Sequence, residues 1–308
     1  MSKTVFMIGL GSMGWGIAAN LSAAADNELI TTPVTVWNRT IARSVEHAKE
    51  FGTRCARALS DAADADVIIT CLPTSVEVAG VVNQLAPKLR AGCLWIDCTS
   101  GEPNATKAMA HSLKALGVMM FDCPVSGGPD GALSGQLTAM VGGDEHLVVR
   151  PFISLFAKKT VVDCGPVGAG HAVKAMNNCL NAAHLILGGE ALLTLTKLGV
   201  KPDVALSAIN ASSGRSLQTE VRIPREVLSR KFDYGFKLGL MLKDVKIAVE
   251  YSSQNLTLRR NSLLPLVQRV LEQSAIEEGP DADYTCVIRT MEREAGAELR
   301  SSSISNLE

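Results

Sequence analysis

The chain has 308 residues, with 30 Lys and Arg against 31 Asp and Glu, a formal net charge of −1 and no long run of either sign. This balance gives no electrostatic support to nucleic-acid binding or to a role on a membrane surface. The length exceeds that of an ordinary single domain and suits two domains, each with its own core.

The eight cysteines are scattered through apolar runs without a C-x-x-C pair. This pattern favours buried thiols over a disulfide framework or a zinc site. The N-terminus has no basic segment followed by an apolar signal core, and no apolar stretch approaches the roughly 20 residues that span a bilayer. We therefore expect a cytoplasmic protein without a metal and without a membrane or nucleic-acid partner.

A glycine-rich turn follows the first predicted strand. The apolar residues 4–8 are typical of a strand buried on both faces, and they lead into Gly9-Leu10-Gly11-Ser12-Met13-Gly14 and then into a helical segment. Strand, G-x-G-x-x-G and helix in this order form the context of a dinucleotide-binding fingerprint. Gly9 permits the tight turn, Gly11 the close approach of the pyrophosphate, and Gly14 the packing of helix on strand.

The end of the second predicted strand bears on the choice of nicotinamide cofactor. In NAD-specific proteins an acidic residue at this point binds the ribose hydroxyls, whereas this strand ends in Asn38-Arg39-Thr40. Asn38 and Thr40 can hydrogen-bond a 2′-phosphate, and Arg39 can pair with it, so NADP is favoured and NAD stays possible. The alternative is a solvated Arg39 and a Thr40 that serves as a helix N-cap.

Strands and helices alternate up to residue 163, which predicts a parallel, doubly wound α/β sheet over residues 1–163. Ligands of such sheets bind at the carboxyl ends of the strands. We therefore expect four further residues at strand ends to border the cofactor: Leu72, Pro73, Thr74 and Thr99.

The segment Asp122-Cys123-Pro124-Val125-Ser126-Gly127-Gly128 follows another predicted strand. The Ser126 hydroxyl and the backbone N–H groups around Gly127 and Gly128 can hold a carboxylate in a concave loop. An ordinary glycine-rich turn is the alternative.

The composition shifts at Gly165. Apolar residues then recur at helical spacing from Ala169 to about Leu198, and later prolines divide the chain into further helical pieces. We predict an all-helical domain over residues 164–300, and a disordered tail over residues 301–308 because that segment has no periodicity.

Lys174 and Asn178 are the candidate catalytic pair. They lie four residues apart on one predicted helix face, so the ammonium and the carboxamide can converge on one small ligand. Lysine is rare inside an apolar segment, and desolvation lowers its pKa from about 10.4 towards values useful for proton transfer. The alternative is a lysine that extends its amine to solvent.

Other ionisable residues of this half are weaker candidates. Lys243-Asp244 is a second charged pair in apolar surroundings, although an extended surface lysine is the simpler interpretation of Lys243. His171 and His184 have no evident carboxylate or metal partner in the sequence, which favours packing or surface roles over general-base roles.

Taken together, these stretches resemble the β-hydroxyacid dehydrogenase family, which includes 3-hydroxyisobutyrate dehydrogenase and tartronate, glyoxylate and succinic semialdehyde reductases. The matching stretches are Gly9 to Gly14, Asp122 to Gly128, Gly168-Ala169-Gly170 through Lys174 and Asn178, and Lys243-Asp244. The resemblance implies a Rossmann-type domain followed by a helical domain that forms a homodimer or homotetramer.

The resemblance also implies roles for particular residues. Lys174 would be the general acid and base, Asn178 and the residues Ser126, Gly127 and Gly128 would bind substrate, and Lys243 would lie at the substrate and nicotinamide end. The implied reaction is the NAD(P)-dependent interconversion of a small β-hydroxy acid and its semialdehyde. The alternatives are reduction of glyoxylate, succinic or tartronate semialdehyde, oxidation of a β-hydroxy amino acid, and a non-catalytic cofactor-binding scaffold.

Overall fold

The computed structural model describes residues 2–24, 28–255 and 262–301. Residues 25–27, in a predicted polar loop, and residues 302–308, in the tail predicted to be disordered, lie outside the described residues. Contacts divide the chain into two compact units, Met1–Lys174 and Ala175–Glu308. The domain boundary predicted after residue 163 precedes this division.

The first unit contains one sheet of nine strands with helices along it. The strands are β1 (Lys3–Ile8), β2 (Ile30–Trp37), β3 (Arg54–Cys55), β4 (Val67–Thr70), β5 (Leu94–Asp97), β6 (Met119–Asp122), β7 (Val125–Ser126), β8 (Thr138–Gly142) and β9 (Thr160–Gly165). The α-helices are α1 (Ser12–Ala23), α2 (Ile41–Phe51), α3 (Ser75–Leu85), α4 (Pro103–Lys114), α5 (Gly128–Ser134) and α6 (Arg150–Phe156). Short 3₁₀ helices cover Leu59–Asp64, Ala86–Lys88 and His146–Val148.

The sheet order is β3-β2-β1-β4-β5-β6-β8-β7, with β9 paired to β8. All neighbours from β3 to β6 are parallel, as predicted for a doubly wound sheet. The far end differs from the prediction, because β8 runs antiparallel to β6 and β7. The short α5 connection between β7 and β8 returns the chain as a hairpin, whereas parallel neighbours need a longer crossover.

The central strands are mostly apolar before their last residue because both faces of the sheet are covered. Successive side chains of a strand point to opposite faces. Met7 and Ile96 therefore join the core beneath α1 and α6, while their neighbours Phe6 and Trp95 join the core beneath α3 and α4. The sequence predicted this double burial from unbroken apolar runs.

The second unit is helical, as predicted. Its elements are α7 (Ala169–Lys197), which begins in the first unit, α8 (Pro202–Asn210), a π-helix (Gln218–Leu228), α9 (Leu238–Asn255), α10 (Leu264–Glu278), a 3₁₀ helix (Tyr284–Cys286) and α11 (Val287–Ala295). Pro202 and Pro265 stand in the first turns of α8 and α10, where proline is tolerated. Pro224 was expected to end a helix, but it lies inside the π-helix.

Helix α7 is long and apolar enough to cross a membrane by length and composition, contrary to the expectation from the sequence. Its residues Cys179, Ala182, Leu185 and Leu192 are nevertheless buried in the core of the helical unit. This pattern is typical of a core helix in a globular protein.

Candidate active site

The fingerprint turn connects β1 to α1 and has the geometry that a dinucleotide requires. A Cβ atom at Gly9 would overlap the Cys71 carbonyl oxygen, and one at Gly14 would overlap the Gly9 carbonyl oxygen. A Cβ atom at Gly11 would meet nothing within 4 Å. Gly9 and Gly14 therefore allow the turn to pack, while Gly11 leaves open space at the N-terminus of α1, whose first turn contains no acidic residue.

Two side chains from beyond β2 hold this turn in place. Asn38 Oδ1 accepts from the Leu10 N–H at 3.0 Å, and Arg43 Nε donates to the Leu10 carbonyl oxygen at 2.8 Å. Asn38 Nδ2 also donates to the Thr40 carbonyl oxygen, so its carboxamide shapes the loop. Arg39 and Thr40 are exposed beside it, and the Thr40 side chain makes no cap to α2. A direct phosphate contact from any of these residues stays a prediction.

The ends of β4 and β5 are joined by hydrogen bonds of buried polar groups. Thr99 Oγ1 accepts from the Leu72 N–H at 3.0 Å, and the Thr99 N–H donates to Asp97 Oδ1 at 3.1 Å. Thr74 instead caps α3, since its hydroxyl accepts from Val76 N and donates to Glu77. The strand ends that were predicted to border the cofactor therefore lie next to one another, whereas their contact with the cofactor stays a prediction.

Three thiols lie just beyond the ends of adjacent strands. Cys71, Cys98 and Cys123 each follow the last paired residue of β4, β5 and β6, and their N–H groups continue the ladder. The contact with the Cys123 thiol, followed by burial, raises the pKa of Cys98 well above its usual range, and burial also raises the pKa of Cys71. Cys71 and Cys98 therefore stay protonated and are poor nucleophiles.

The loop at Ser126 leads into α5. Ser126 is half-buried, and Gly127 and Gly128 have φ angles of 143° and 70°, which favour glycine. Gly127 is exposed at the surface of the first unit. The binding of a carboxylate by this loop stays a prediction.

The start of α7 is anchored to the end of β6. The buried Asp122 carboxylate accepts from the Gly168 N–H at 2.6 Å through Oδ1 and from the His171 N–H at 2.8 Å through Oδ2. A Cβ atom at Gly170 would overlap the Met140 carbonyl oxygen and lie 2.9 Å from Asp122 Oδ2, which explains the small residue there. A carboxylate at a helix N-terminus is stabilising because it accepts from the unpaired N–H groups and opposes the helix dipole.

Lys174 lies just after this anchored turn and is 8% exposed. This low exposure of the residue favours the catalytic interpretation over the alternative in which the amine extends into solvent. A buried amine near an anchored helix start has a defined position, which proton transfer to a bound substrate requires.

The second unit holds the other half of the predicted pair. Asn178 is buried and lies one turn beyond Lys174 on α7, and its Nδ2 donates to Asp244 Oδ2 at 2.6 Å. Asp244 Oδ1 lies 3.1 Å from Lys243 Nζ. Asp244 therefore connects two residues that were singled out separately, and the half-buried Lys243 is fixed by an ion pair. Binding of substrate or cofactor by Asn178 and Lys243 stays a prediction.

Sequence reasoning gave no role in these networks to Arg43, Asp122 or Asp244, and it assigned His171 to packing or to the surface, of which the structure shows a buried position. Asp122 and Asp244 stood inside motifs that had already been noted, but their partners lie 46 and 66 residues away along the chain. Periodicity does not show such pairings. The signal available for Asp122 was a carboxylate at the end of a strand whose other residues are apolar.

Two family models match consecutive parts of the chain. Residues 4–165 match the NAD-binding domain of 6-phosphogluconate dehydrogenase, and residues 168–291 match the NAD-binding model of NADP-dependent 3-hydroxyisobutyrate dehydrogenase. The open space at Gly11 and the anion-accepting start of α1 fit the cofactor that these models imply. The chain therefore binds NAD(P).

Similar proteins cover most of the chain. The mitochondrial 3-hydroxyisobutyrate dehydrogenase of Mus musculus is 33% identical over 83% of this chain and 78% of its own length. The 2-(hydroxymethyl)glutarate dehydrogenase of Eubacterium barkeri is 32% identical over 97% and 98% of the two chains. The solved structure of Mycobacterium tuberculosis 3-hydroxyisobutyrate dehydrogenase with L-serine has a TM-score of 0.83 at 28% identity and covers 94% and 99% of the two chains. Since both halves match in order and at full length, the chain belongs to the β-hydroxyacid dehydrogenase family and is an NAD(P)-dependent oxidoreductase.

Proposed function

We propose that the protein interconverts a small β-hydroxy acid, of the 3-hydroxyisobutyrate type, and its semialdehyde, with Lys174 as the general acid and base. The observation that carries this proposal is the burial of Lys174 directly after the turn that Asp122 anchors. Lysine side chains are rarely buried, so a buried lysine beside a predicted cofactor site is a candidate for proton transfer.

The chain's own residues position the substrate and move one proton. The cofactor, when bound, supplies the acceptor or donor of the hydride. In the oxidative direction the uncharged Lys174 amine accepts the hydroxyl proton, and in the reductive direction its ammonium donates a proton to the carbonyl oxygen. Ser126 and the N–H groups at Gly127 and Gly128 hold the carboxylate, and Asn178 hydrogen-bonds the substrate beside the amine.

The relatives' names support one substrate class. 3-Hydroxyisobutyrate, serine and 2-(hydroxymethyl)glutarate share the core HO–CH₂–CH(R)–COO⁻ and differ in R, which is a methyl, an ammonium or a carboxyethyl group. A site that holds the carboxylate at one end and the hydroxyl at Lys174 recognises this core whatever R is. We therefore propose a 3-hydroxypropanoate with a substituent at C2 as the substrate.

Replacing Lys174 with alanine tests the proton-transfer role. We expect kcat to fall by about 10²–10⁴-fold, which is the usual contribution of general acid–base catalysis, while the Kd for NADP changes less than about twofold. The exposed Lys114 on α4 gives a matched control, since Lys114→Ala should leave both values unchanged. A Lys174→Ala enzyme that keeps kcat within a few-fold would contradict the role.

A substrate panel tests the class and the cofactor preference. Wild-type enzyme is assayed with 3-hydroxypropanoates that carry hydrogen, methyl, ammonium or carboxyethyl at C2, and with glyoxylate and succinic and tartronate semialdehydes, each with NAD(H) and NADP(H). We expect turnover with the first set and a preference for NADP that Arg39→Ala reduces. Faster turnover of glyoxylate or succinic semialdehyde would favour the reductase alternative, and tight NADP binding without any turnover would favour a scaffold.

Two further properties are proposals from the family resemblance. We propose a homodimer or homotetramer formed through the helical unit, and a cytoplasmic location. Sedimentation velocity measures the first property, and cell fractionation measures the second.

A further inference from the structure

His171 occupies a slot in the first unit that a side chain at Gly101 would fill. A Cβ atom at Gly101 would lie 2.7 Å from Ser75 Oγ, 2.8 Å from His171 Cε1 and 3.0 Å from His171 Nδ1. The His171 ring is fully buried, and its Nδ1 lies 2.8 Å from the hydroxyl of Thr106 on α4. The slot is therefore shaped to the imidazole ring, and the ring links α7 to α4.

The two ring nitrogens face different partners. The Thr106 hydroxyl lies 2.8 Å from Nδ1 and 2.9 Å from the Glu102 carbonyl oxygen, and its single hydrogen can be donated to either of them. The other ring nitrogen, Nε2, lies 3.9 Å from Asp97 Oδ2. Within the described residues neither His171 Nε2 nor Asp97 Oδ2 has a hydrogen-bond partner, and both atoms are buried.

The Asp97 carboxylate is itself held in place. Its Oδ1 accepts from the Thr70 hydroxyl at 2.8 Å and from the Thr99 N–H at 3.1 Å, which orients Oδ2 towards α7. A carboxylate oxygen can only accept, so Asp97 favours the tautomer of His171 that carries its hydrogen on Nε2 and accepts from the Thr106 hydroxyl through Nδ1. At 3.9 Å the contact between Nε2 and Asp97 Oδ2 is an electrostatic one and not a hydrogen bond.

We propose that His171, through its pairing with Asp97 and its slot beside Gly101, is a positioning residue that fixes Lys174 for the reaction. His171 and Lys174 are three residues apart on α7 and so lie on the same face of the helix. Asp122 anchors the backbone of the first turn, and the His171 ring ties the helix face that carries Lys174 to the end of β5. This inference rests on the proposed role of Lys174.

Two conservative substitutions separate the contacts of the ring. In His171→Gln the side-chain amide reaches the position of Nε2 and keeps a donor towards Asp97, whereas in His171→Asn it reaches the position of Nδ1 and keeps only the contact with Thr106. We expect His171→Ala to lower kcat by about 10- to 100-fold, because small misplacements of a catalytic group have effects of this size. His171→Gln should recover kcat to within about threefold of the wild type, and His171→Asn should not.

A second readout does not depend on turnover. The rate at which the Lys174 amine is reductively methylated in the cofactor-free protein, followed by mass spectrometry, reports how firmly the amine is held. We expect His171→Ala and His171→Asn to raise this rate by about fivefold or more, and His171→Gln to leave it close to the wild-type rate. The Kd for NADP should stay within about twofold in all three variants.

Gly101→Ala places a methyl group against the His171 ring and the Ser75 hydroxyl without changing the chemistry of the ring, and it serves if His171→Ala does not fold. We expect it to lower kcat and to raise Lys174 methylation as His171→Ala does, and to have little further effect in the double variant, because the two changes disturb one contact. Loss of thermal stability with unchanged kcat and unchanged methylation would make His171 merely structural and overturn the inference. Activity that survives Lys174→Ala would overturn the proposed function instead, while the methylation readout would still report the hold on Lys174.

Discussion

Buried polar side chains in the first unit connect the sheet to two different helices. Asp97 and Asp122 end neighbouring strands and connect the sheet to the helix that carries Lys174. His47, on α2, instead fixes the fingerprint helix, since its Nε2 lies 3.1 Å from the Trp15 carbonyl oxygen and its Nδ1 lies 2.9 Å from Thr53 Oγ1. The ring is fully buried and packs against the rings of Trp15 and Phe51.

This setting makes His47 a source of acid sensitivity. Burial lowers the pKa of His47 below its ordinary 6.5, so the unfolded chain binds the proton first as the pH falls. The free energy of unfolding therefore decreases as the pH falls through 6.5, by about 1.4 kcal/mol for each unit of difference between the two pKa values. We expect His47→Gln to flatten this part of the profile, as measured by urea unfolding at pH 5.5 and pH 7.5.

The exposed His111 on α4 provides the control, because His111→Gln should leave the slope unchanged. If the wild type and His47→Gln lost stability equally between the two pH values, His47 would not be the responsible group.

At the scale of single residues, the sequence could predict Lys174 as a candidate but not the contacts that position it. A lysine in an apolar helical segment is visible from composition and spacing alone. Its environment depends on Asp122 and on the slot at Gly101, which lie on other elements, and a glycine that makes room for a distant ring looks like any other loop glycine in the sequence.

The turn between β1 and α1 shows how one element combines packing and binding. Gly14 is needed because the helix passes directly over the Gly9 carbonyl oxygen, whereas Gly11 has open space on the side where a Cβ atom would lie. Gly14 and Gly11 are thus glycines for different physical reasons, and substitution can separate these reasons.

We expect Gly14→Ala to destabilise the protein by about 1–3 kcal/mol, the usual cost of overpacking, because its Cβ atom would overlap backbone. Gly11→Ala should change the unfolding free energy by less than about 1 kcal/mol but weaken NADP binding by about tenfold or more, since it fills the space reserved for the pyrophosphate. Urea unfolding and a fluorescence titration with NADPH measure the two effects. Equal loss of stability in both variants would contradict this division of roles.

Elements with strong periodicity could be predicted, and short or irregular ones could not. The helix from Ala169 to about Leu198 was expected and is observed as Ala169–Lys197. The two-residue strands β3 and β7 have no periodicity to detect, and they exist because a neighbouring strand offers free hydrogen-bonding groups. The π-helix escaped prediction because Pro224 indicates a helix end.

At the scale of the whole molecule, each unit has its own core. The sheet of the first unit carries two apolar layers, and the helical unit carries a third cluster that includes α7, α9 and α11. The sequence indicated both units through the change from alternating strands and helices to helices alone. It did not indicate how the last described residues are held. Ser301 was predicted to begin a disordered tail, whereas its N–H group donates to the Leu228 carbonyl oxygen at 3.1 Å.

Arg230 connects this C-terminal segment to the helical unit. Its guanidinium lies 2.6 Å from Glu292 Oε1 and 3.1 Å from Glu298 Oε1, and it donates to the Leu299 carbonyl oxygen at 3.2 Å. Glu292 Oε1 in turn accepts from the Leu299 N–H at 2.7 Å. Arg230 has a left-handed backbone with φ of 61°, which is uncommon for arginine, so these side-chain contacts compensate for local strain.

We expect Arg230→Met to destabilise the helical unit by about 3 kcal/mol, because it leaves the Glu292 carboxylate buried without its cation. Hydrogen exchange should accelerate at the amides of Leu299 and Ser301 and stay unchanged in strands β4 and β5 of the first unit. The exposed pair Lys237–Asp281, which is 2.7 Å apart, gives the control, since Lys237→Met should cost less than about 1 kcal/mol. If the two substitutions had equal effects, or if exchange at Leu299 did not change, the C-terminal segment would be held by apolar packing of Leu299 and not by the Arg230 network.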